Sequence, residues 1–441
     1  MPSGGRRGSA RLFSGGGEHP VTRPDVVITG VGTLSPLGIG REAFSASLRA
    51  GRSGIGPITL FDSSGLPVRI AGEVKDFEPK GYVTPRKSLK LMARDCQLGV
   101  AASVLACADA RVRPGSVAPD RFGVVLGADS IGSTLAISEE PYRRCLVEGQ
   151  FRYERWAVEG AAVSFPLNFL KVLPNMIASH ISIAHDARGP NNTIHHGDVS
   201  SLLAVCEAAR AIQRGAADVM LAGGASSQMN PFDWVRHCLI GRLSPSREDP
   251  QTVLRPFDLA RSGQVHGEGS TVFVLERREH AEARGAEIQA RIAGSSSSYV
   301  PAGGAAGQRR SIARALAAAL ADAGLAPGDI GHVNAHGLST AIDDAIEAAA
   351  IGEVLGAAAV TAPKSYFGNL GAAAGATEML ASLLAIQDGA VPPTLNFRTP
   401  DPRCDVNIVR EGPLPRAVPT ALLLNATFAG QATALVLSAP N

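Results

Sequence analysis

Residues Arg188–Ala225 read RGPNNTIHHGDVSSLLAVCEAARAIQRGAADVMLAGGA, and the reading of this stretch decides the fold. Gly189-Pro190 signals a turn, and Asn192 to His195 is short and reads as extended. After Asp198, apolar residues recur at helical spacing (Leu202, Val205, Ala209, Ile212) until Gly215 closes the run. Asp218 to Leu221 is then a short apolar strand ended by Gly223-Gly224. Asp198 therefore falls at or near the N-cap of an Ala-rich helix between two buried strands. Free backbone N–H groups and the helix dipole stabilise negative charge at such a place, which suits a nucleophile. Asp is also among the best N-caps, so a purely structural role stands beside the catalytic one.

Outward from this core, Asp25 to Pro36 is a β-branched strand ending in a Gly-rich turn, without the GxGxxG of a dinucleotide site. Arg41 to Arg49 is a short helix, and Arg52 to Lys80 is loop-like. Ser88 to Ala110 reads as one long helix with Arg86, Lys87, Lys90 and Arg94 at its start. Basic residues in a first turn oppose the helix dipole. Arg121 to Ala128 is a buried strand, Glu139 to Phe169 an irregular insertion, and Leu170 to Ile183 a helix. Beyond about residue 270 the β-α-β-α-β order is given a second time, which predicts a large α/β protein of two halves, 24–270 and 271–441.

Composition excludes several classes. The 441 residues are 45% hydrophobic and 19% charged, as expected of a globular α/β chain. A formal charge of +2 gives no argument for nucleic acid. The six cysteines lack CxxC pairing and read as reduced core thiols, consistent with a cytoplasmic protein. No apolar run approaches the ~18 residues of a membrane span. Residues 1–23 are rich in Gly, Ser and Arg without an apolar core, so a disordered tail is expected rather than a secretory signal.

The Arg188–Ala225 stretch resembles the nucleophile segment of the β-ketoacyl-(acyl carrier protein) synthases, elongating condensing enzymes of the thiolase superfamily. Arg255-Pro256-Phe257-Asp258 with Gly267-Glu268-Gly269, Asn334-Ala335-His336-Gly337, and Lys364-Ser365-Tyr366-Phe367-Gly368-Asn369 extend the resemblance over roughly residues 25–440, in order. It implies a thiolase-like fold: duplicated βαβαβ halves in a five-layer α-β-α-β-α sandwich. It implies no cofactor and no metal. In the family, Gly-Pro-Asn is followed seven residues after the Asn by the cysteine that carries the acyl chain. Counted from Asn191, that position is Asp198. The first catalytic histidine matches His336, the motif lysine Lys364, and the second histidine Asn369. Glu347 falls at a buried acidic partner. The Gly-rich loop with its gating phenylalanine matches Asn425-Ala426-Thr427-Phe428-Ala429-Gly430, so Thr427, Phe428 and Ala429 are expected at the substrate, with Ala429 at the gate position. Arg86, Lys87, Lys90 and Arg94 fall where the family docks its acidic acyl carrier protein.

A carboxylate cannot carry a thioester, and at ~4 Å it would repel a malonyl carboxylate by about 4 kcal/mol at an effective dielectric of 20. Cys206 lies about two turns, ~12 Å, along the helix and is expected in the core. Ser200 and Ser201 need a base within reach to replace the thiol. His195 and His196 point to opposite faces of a strand, so at most one could join Asp198 and His336 as a metal ligand. Two readings follow. The first resembles the chain-length-factor subunits of type II polyketide systems: no condensation by this chain alone, an active ketosynthase as heterodimer partner or a homodimer, and acyl carrier protein as a further partner. The second is an enzyme of altered acyl-thioester chemistry (decarboxylation, acyl transfer or hydrolysis) using Asp198, His336 and Asn369.

Overall fold

The computed structural model describes residues 23–129, 135–301, 303–415 and 419–440. The expected tail lies outside the described residues except for Arg23. The first half runs β1 (Val26–Ser35), α1 (Arg94–Asp109), β2 (Phe122–Ala128), α2 (Met176–His185), β3 (Asn191–Ile194), α3 (Ser200–Gln213), β4 (Val219–Ser226), α4 (Pro231–Ile240) and β5 (Gly269–Arg277). The second half runs β6 (Ala290–Tyr299), α5 (Gly304–Ala323), β7 (His332–Asn334), α6 (Asp343–Leu355), β8 (Ala359–Thr361), α7 (Ala374–Asp388), β9 (Asn407–Ile408), β10 (Thr420–Ala426) and β11 (Gln431–Ser438).

Strand pairing exposes the duplication. One path of strands reads β9-β8-β7-β10-β11-β6-β1-β5-β4-β2-β3. From β1 outward, β5 and β4 are added antiparallel, then β2 and β3 parallel. From β6 outward, β11 and β10 are antiparallel, then β7 and β8 parallel. The two series are the same topology, joined where β1 and β6 pair antiparallel through Val27 with Arg291 and Ile28 with Ala290. β5 pairs with β1 and β4, so it completes the first half. The seam therefore falls between Arg277 and Ala290, later than the boundary at 270 expected from sequence.

The apolar clusters give the layers. Side chains of α3 and α7 share one cluster with strands of both halves, which makes them the central layer. α1 and α2 cover the outer face of the first half, and α5 and α6 that of the second. The result is an α-β-α-β-α sandwich. Strands buried on both faces need near-continuous apolar runs, and β1, β4, β10 and β11 supply them. Close packing of α1 on β1 depends on glycine: a Cβ at Gly30 would lie 2.7 Å from the Ala106 carbonyl oxygen.

Several boundaries differ from the sequence reading. The long helix from Ser88 is two elements, a 3₁₀ turn Arg86–Leu91 and then α1, because Ala93 is extended at the N-cap. The 139–169 insertion holds short helices rather than irregular chain, and the following helix starts at Met176. Among the described residues, no helix is long and apolar enough to cross a membrane.

Candidate active site

β3 leads into a 3₁₀ turn, Gly197–Val199, and then α3. This turn displaces Asp198 from the expected capping position. Val199 is the N-cap residue, and no side chain caps α3. The Asp198 carboxylate turns instead toward the second half. Its Oδ2 accepts from Asn369 Nδ2 at 3.2 Å and lies 3.5 Å from His336 Nε2. Its side chain is 23% exposed.

His336 follows β7 at the C-terminal end of the strand, where α/β sheets present functional groups. Glu347 of α6 holds the turn: Oε1 accepts from His336 N at 2.6 Å and Oε2 from Gly337 N at 2.8 Å. Gly337 has φ of 47°, the left-handed region that favours glycine. Lys364 follows β8. Its Nζ donates to His336 Nδ1 at 2.9 Å and is ion-paired to Glu378 of α7. Asn425, in β10, donates to His336 Nδ1 at 3.1 Å and to Glu378 Oε2 at 2.7 Å. A lysine ammonium has no lone pair to offer, so Nδ1 must be the acceptor nitrogen and Nε2 carries the proton. Burial, and then the Lys364 cation, push the His336 pKa below its ordinary value, which keeps the ring neutral. Nε2–H faces Asp198 Oδ2 at 3.5 Å, the limit of hydrogen-bond distance, and has no closer acceptor among the described residues.

Burial alone would push the Asp198 carboxyl up. The His336 N–H directed at it, with the Lys364 cation close by, outweighs burial and holds the group well below the usual carboxylate range. Asn369 is committed on both ends of its amide: Nδ2 also donates to Gln264 Oε1 at 3.1 Å, and Oδ1 accepts from Gly371 N at 3.2 Å. Ser200 and Ser201 are buried and used by the backbone. Ser200 Oγ donates to Gly197 O at 2.6 Å, and Ser201 Oγ accepts from Ala376 N at 3.0 Å. Cys206 is in the core as expected, its thiol pushed up to about 11 by burial. His195 Nδ1 lies 2.8 Å from the Ala128 carbonyl oxygen.

Asp198 and Asn369 line a cavity of about 220 Å³, together with His237, His266, Arg242 and Phe428. The expected Gly-rich loop is a tight hairpin between β10 and β11, closed by Thr427 N donating to Gln431 O at 2.8 Å. Thr427 and Phe428 line the cavity, but Ala429 is exposed and does not, because the short turn carries it outward. Phe428 is 77% exposed, with the Arg242 guanidinium 5.5 Å from its ring centre. Arg86, Lys87 and Lys90 are exposed on their 3₁₀ turn. Arg94 is set apart from them: Nε donates to Glu268 Oε2 at 2.6 Å and Nη2 to Val74 O at 3.2 Å.

A model of the "Beta-ketoacyl synthase, N-terminal domain" matches residues 23–281, and one of the C-terminal domain matches residues 285–398. The chain belongs to the β-ketoacyl synthase family. The junction between the two matches coincides with the seam between β5 and β6. The chain is 35% identical over 396 residues to 3-oxoacyl-[acyl-carrier-protein] synthase 2 of Synechocystis, covering 87% of this chain and 90% of that one. It is 35% identical over 421 residues to the tetracenomycin polyketide synthase ketoacyl synthase alpha subunit of Streptomyces glaucescens, covering 94% and 97%. Among solved structures it is similar to the ishigamide ketosynthase/chain length factor, with a TM-score of 0.82 at 31% identity over 95% of this chain and 100% of that chain. It is also similar to a type II polyketide ketosynthase in complex with its acyl-carrier protein, with a TM-score of 0.80 at 29% identity over the same shares of the two chains. The β-ketoacyl synthase fold is thus the thiolase-like sandwich expected from the sequence.

Sequence reasoning missed Glu378, Asn425 as a histidine partner, Gln264 and His266. Glu378 had a signal: it is the only charged residue from Ser365 to Gln387, and a lone charge in an apolar helix calls for a buried partner. Gln264 and His266 had none, since a loop of the first half places them.

Proposed function

We propose that this β-ketoacyl synthase homologue does not condense acyl chains by itself and acts as a chain-length-factor-like subunit beside an active ketosynthase, in carrier-protein-dependent fatty acid or polyketide synthesis. The observation that carries the reading is Asp198: a persistent anion at the nucleophile position, with His336 and Asn369 directed at it. A condensing centre needs a thiolate to accept the acyl chain and two donors for the enolate formed by decarboxylation. Here the thiol is absent and Asn369 is tied to Gln264. Two features weigh against the second reading, an enzyme with Asp198 as its base. A carboxylate held far below neutral pH is a weak base, and it repels a malonyl carboxylate.

Support for a partner comes from the outer edge of the first half. β3 ends the strand path, and Asn191 and Asn192 are exposed, which leaves an edge open to pairing with another chain. Asn191 Nδ2 donates to Ser182 Oγ at 2.5 Å, so the neighbouring Ile183, an exposed apolar side chain of α2, borders that edge. Tyr153, Val158 and Phe169 on the segment before α2 are exposed as well. An obligate interface buries more than about 2,000 Å² and is largely apolar. The exposed Arg86, Lys87 and Lys90 suit docking of an acidic acyl carrier protein, chiefly by raising the on-rate. The test is co-expression with the nearest intact ketosynthase of the host and mass by light scattering. A stable 1:1 complex is expected. A homodimer that persists beside every ketosynthase of the host and turns over an acyl thioester alone would overturn the proposal.

A further inference from the structure

We infer that the groove between α5 and α6, on the outer face of the second half, seats an acidic amphipathic helix of a partner protein. This does not depend on the reading of Asp198.

The two halves share one topology but cover their outer helices differently. In the first half, the chain between β1 and α1 is long, residues 36–93, and folds back over the helical layer. Val74, Val83 and Met92 are buried in the apolar cluster that holds α1 and α2, with Phe77, Tyr82 and Leu89 packed against it. Along α1, only Ala108 and Asp109 are exposed. In the second half, residues 300–303 alone join β6 to α5, so the equivalent connection supplies no cover. Between α5 and α6 lies an open groove of about 760 Å³, lined by Ala313 and Ala317 of α5 and by Ile346, Ala349 and Val354 of α6. Small side chains along α5 let a third helix come close, with a ridge of its own side chains in the groove. The first half fills this layer with its own chain, and the second leaves it to a partner.

Charge decides the kind of helix. Arg309, Arg310 and Arg314 are exposed and line the same groove. Arg309 is paired with Glu353 of α6 at 2.8 Å. Among the described residues, Arg310 and Arg314 have no carboxylate partner. α5 carries no acidic residue before Asp322, so nothing on the helix itself offsets them there. An apolar groove beside two unpaired guanidiniums matches a helix with an apolar ridge and an acidic flank, and it repels a basic one. A second copy of this chain is a poor match. The exposed Glu139 and Glu140 of its 135–144 helix are already paired with Arg143 and Arg144, so that helix has no free acidic flank to offer.

The probe is a fluorescein-labelled helical peptide of about 15 residues, ~22 Å long, with leucines along one face and glutamates on both flanks. Its control is the same peptide with lysine in place of every glutamate. Both are titrated by fluorescence anisotropy into the full-length protein. The acidic peptide is expected to bind ~10-fold or more tighter, by a margin that shrinks as salt rises. Arg310→Glu with Arg314→Glu is expected to reverse the preference, and both side chains are exposed, so the fold does not depend on them. Ala317→Trp, which fills the groove, is expected to weaken the acidic peptide with the charges unchanged. Equal binding of the two peptides by the wild type would overturn the inference. So would an acidic preference that survives the double variant, which would place the peptide on the basic turn at Arg86, Lys87 and Lys90 instead. Self-association of the wild type in sedimentation velocity, abolished by the double variant, would give the groove to a second copy and overturn it as well.

Discussion

Buried in the second half, behind the cavity, Lys364, His336, Glu378 and Asn425 bond to one another. Lys364 and Glu378 are buried to 1% and 2% side-chain exposure. At the cavity itself Asp198 of the first half is 23% exposed, with one oxygen accepting no hydrogen bond among the described residues, and it meets Asn369 of the second half, whose amide is shared with Gln264. The difference teaches which side chains stability holds in place and which it does not. Removing one member of a buried ion pair strands the other in a low dielectric, so such residues are held by stability whether or not they catalyse. A rim residue facing a cavity is not held in that way. Its side chain answers to whatever the cavity binds.

Breaking the interlocked cluster is the largest effect expected. Lys364→Met should lower unfolding free energy by about 3–5 kcal/mol, because Glu378 is left buried and unpaired. Urea titration measures it, and a loss below about 1 kcal/mol would show that the cluster is not held by this pair. Substitution at Asp198 should be milder. Asp198→Cys removes one charge-assisted bond from Asn369 and should cost no more than about 2 kcal/mol. It should also fail to restore elongation, since Asn369 stays where the resemblance places a second histidine, although a thiol beside a helix N-terminus should load acyl groups readily. Robust elongation by this single variant would show that the asparagine costs little.

Titration sharpens the contrast further. His336 has its folded pKa below the ordinary value of 6.5. Below that value the unfolded chain takes up a proton that the folded ring refuses, so this group makes stability fall as pH falls, by at most about 1.4 kcal/mol per pH unit. Above it both forms are neutral and the contribution is constant. Nitrogen NMR of the imidazole should report a neutral ring with the proton on Nε2 at pH 6. An imidazolium at that pH would mean that Asp198 commands the ring more strongly than Lys364 does.

Much of this was legible in the sequence, for different reasons in the two regions. The sandwich and its duplication follow from apolar runs and turn glycines, which are local signals, and the resemblance located His336, Lys364 and Asn369. The β5 seam was misplaced because a strand's membership in a half is set by its pairing partners, β1 and β4, which are distant in sequence. Asp198 looked like an N-cap because helix starts are read from composition. The 3₁₀ turn Gly197–Val199 moves the cap one residue on, and a 3₁₀ start leaves no trace in apolar spacing. Ala429 was assigned to the substrate by motif position, but the short β10–β11 hairpin turns it outward and leaves Phe428 at the cavity.

The central claim, that Asp198 leaves this β-ketoacyl synthase homologue unable to condense by itself, is tested most directly by product. The purified chain is incubated with acyl- and malonyl-carrier protein, and the β-keto product is sought by mass spectrometry. No product above a no-enzyme control is expected. Product above that control, lost in Asp198→Ala, would contradict the account.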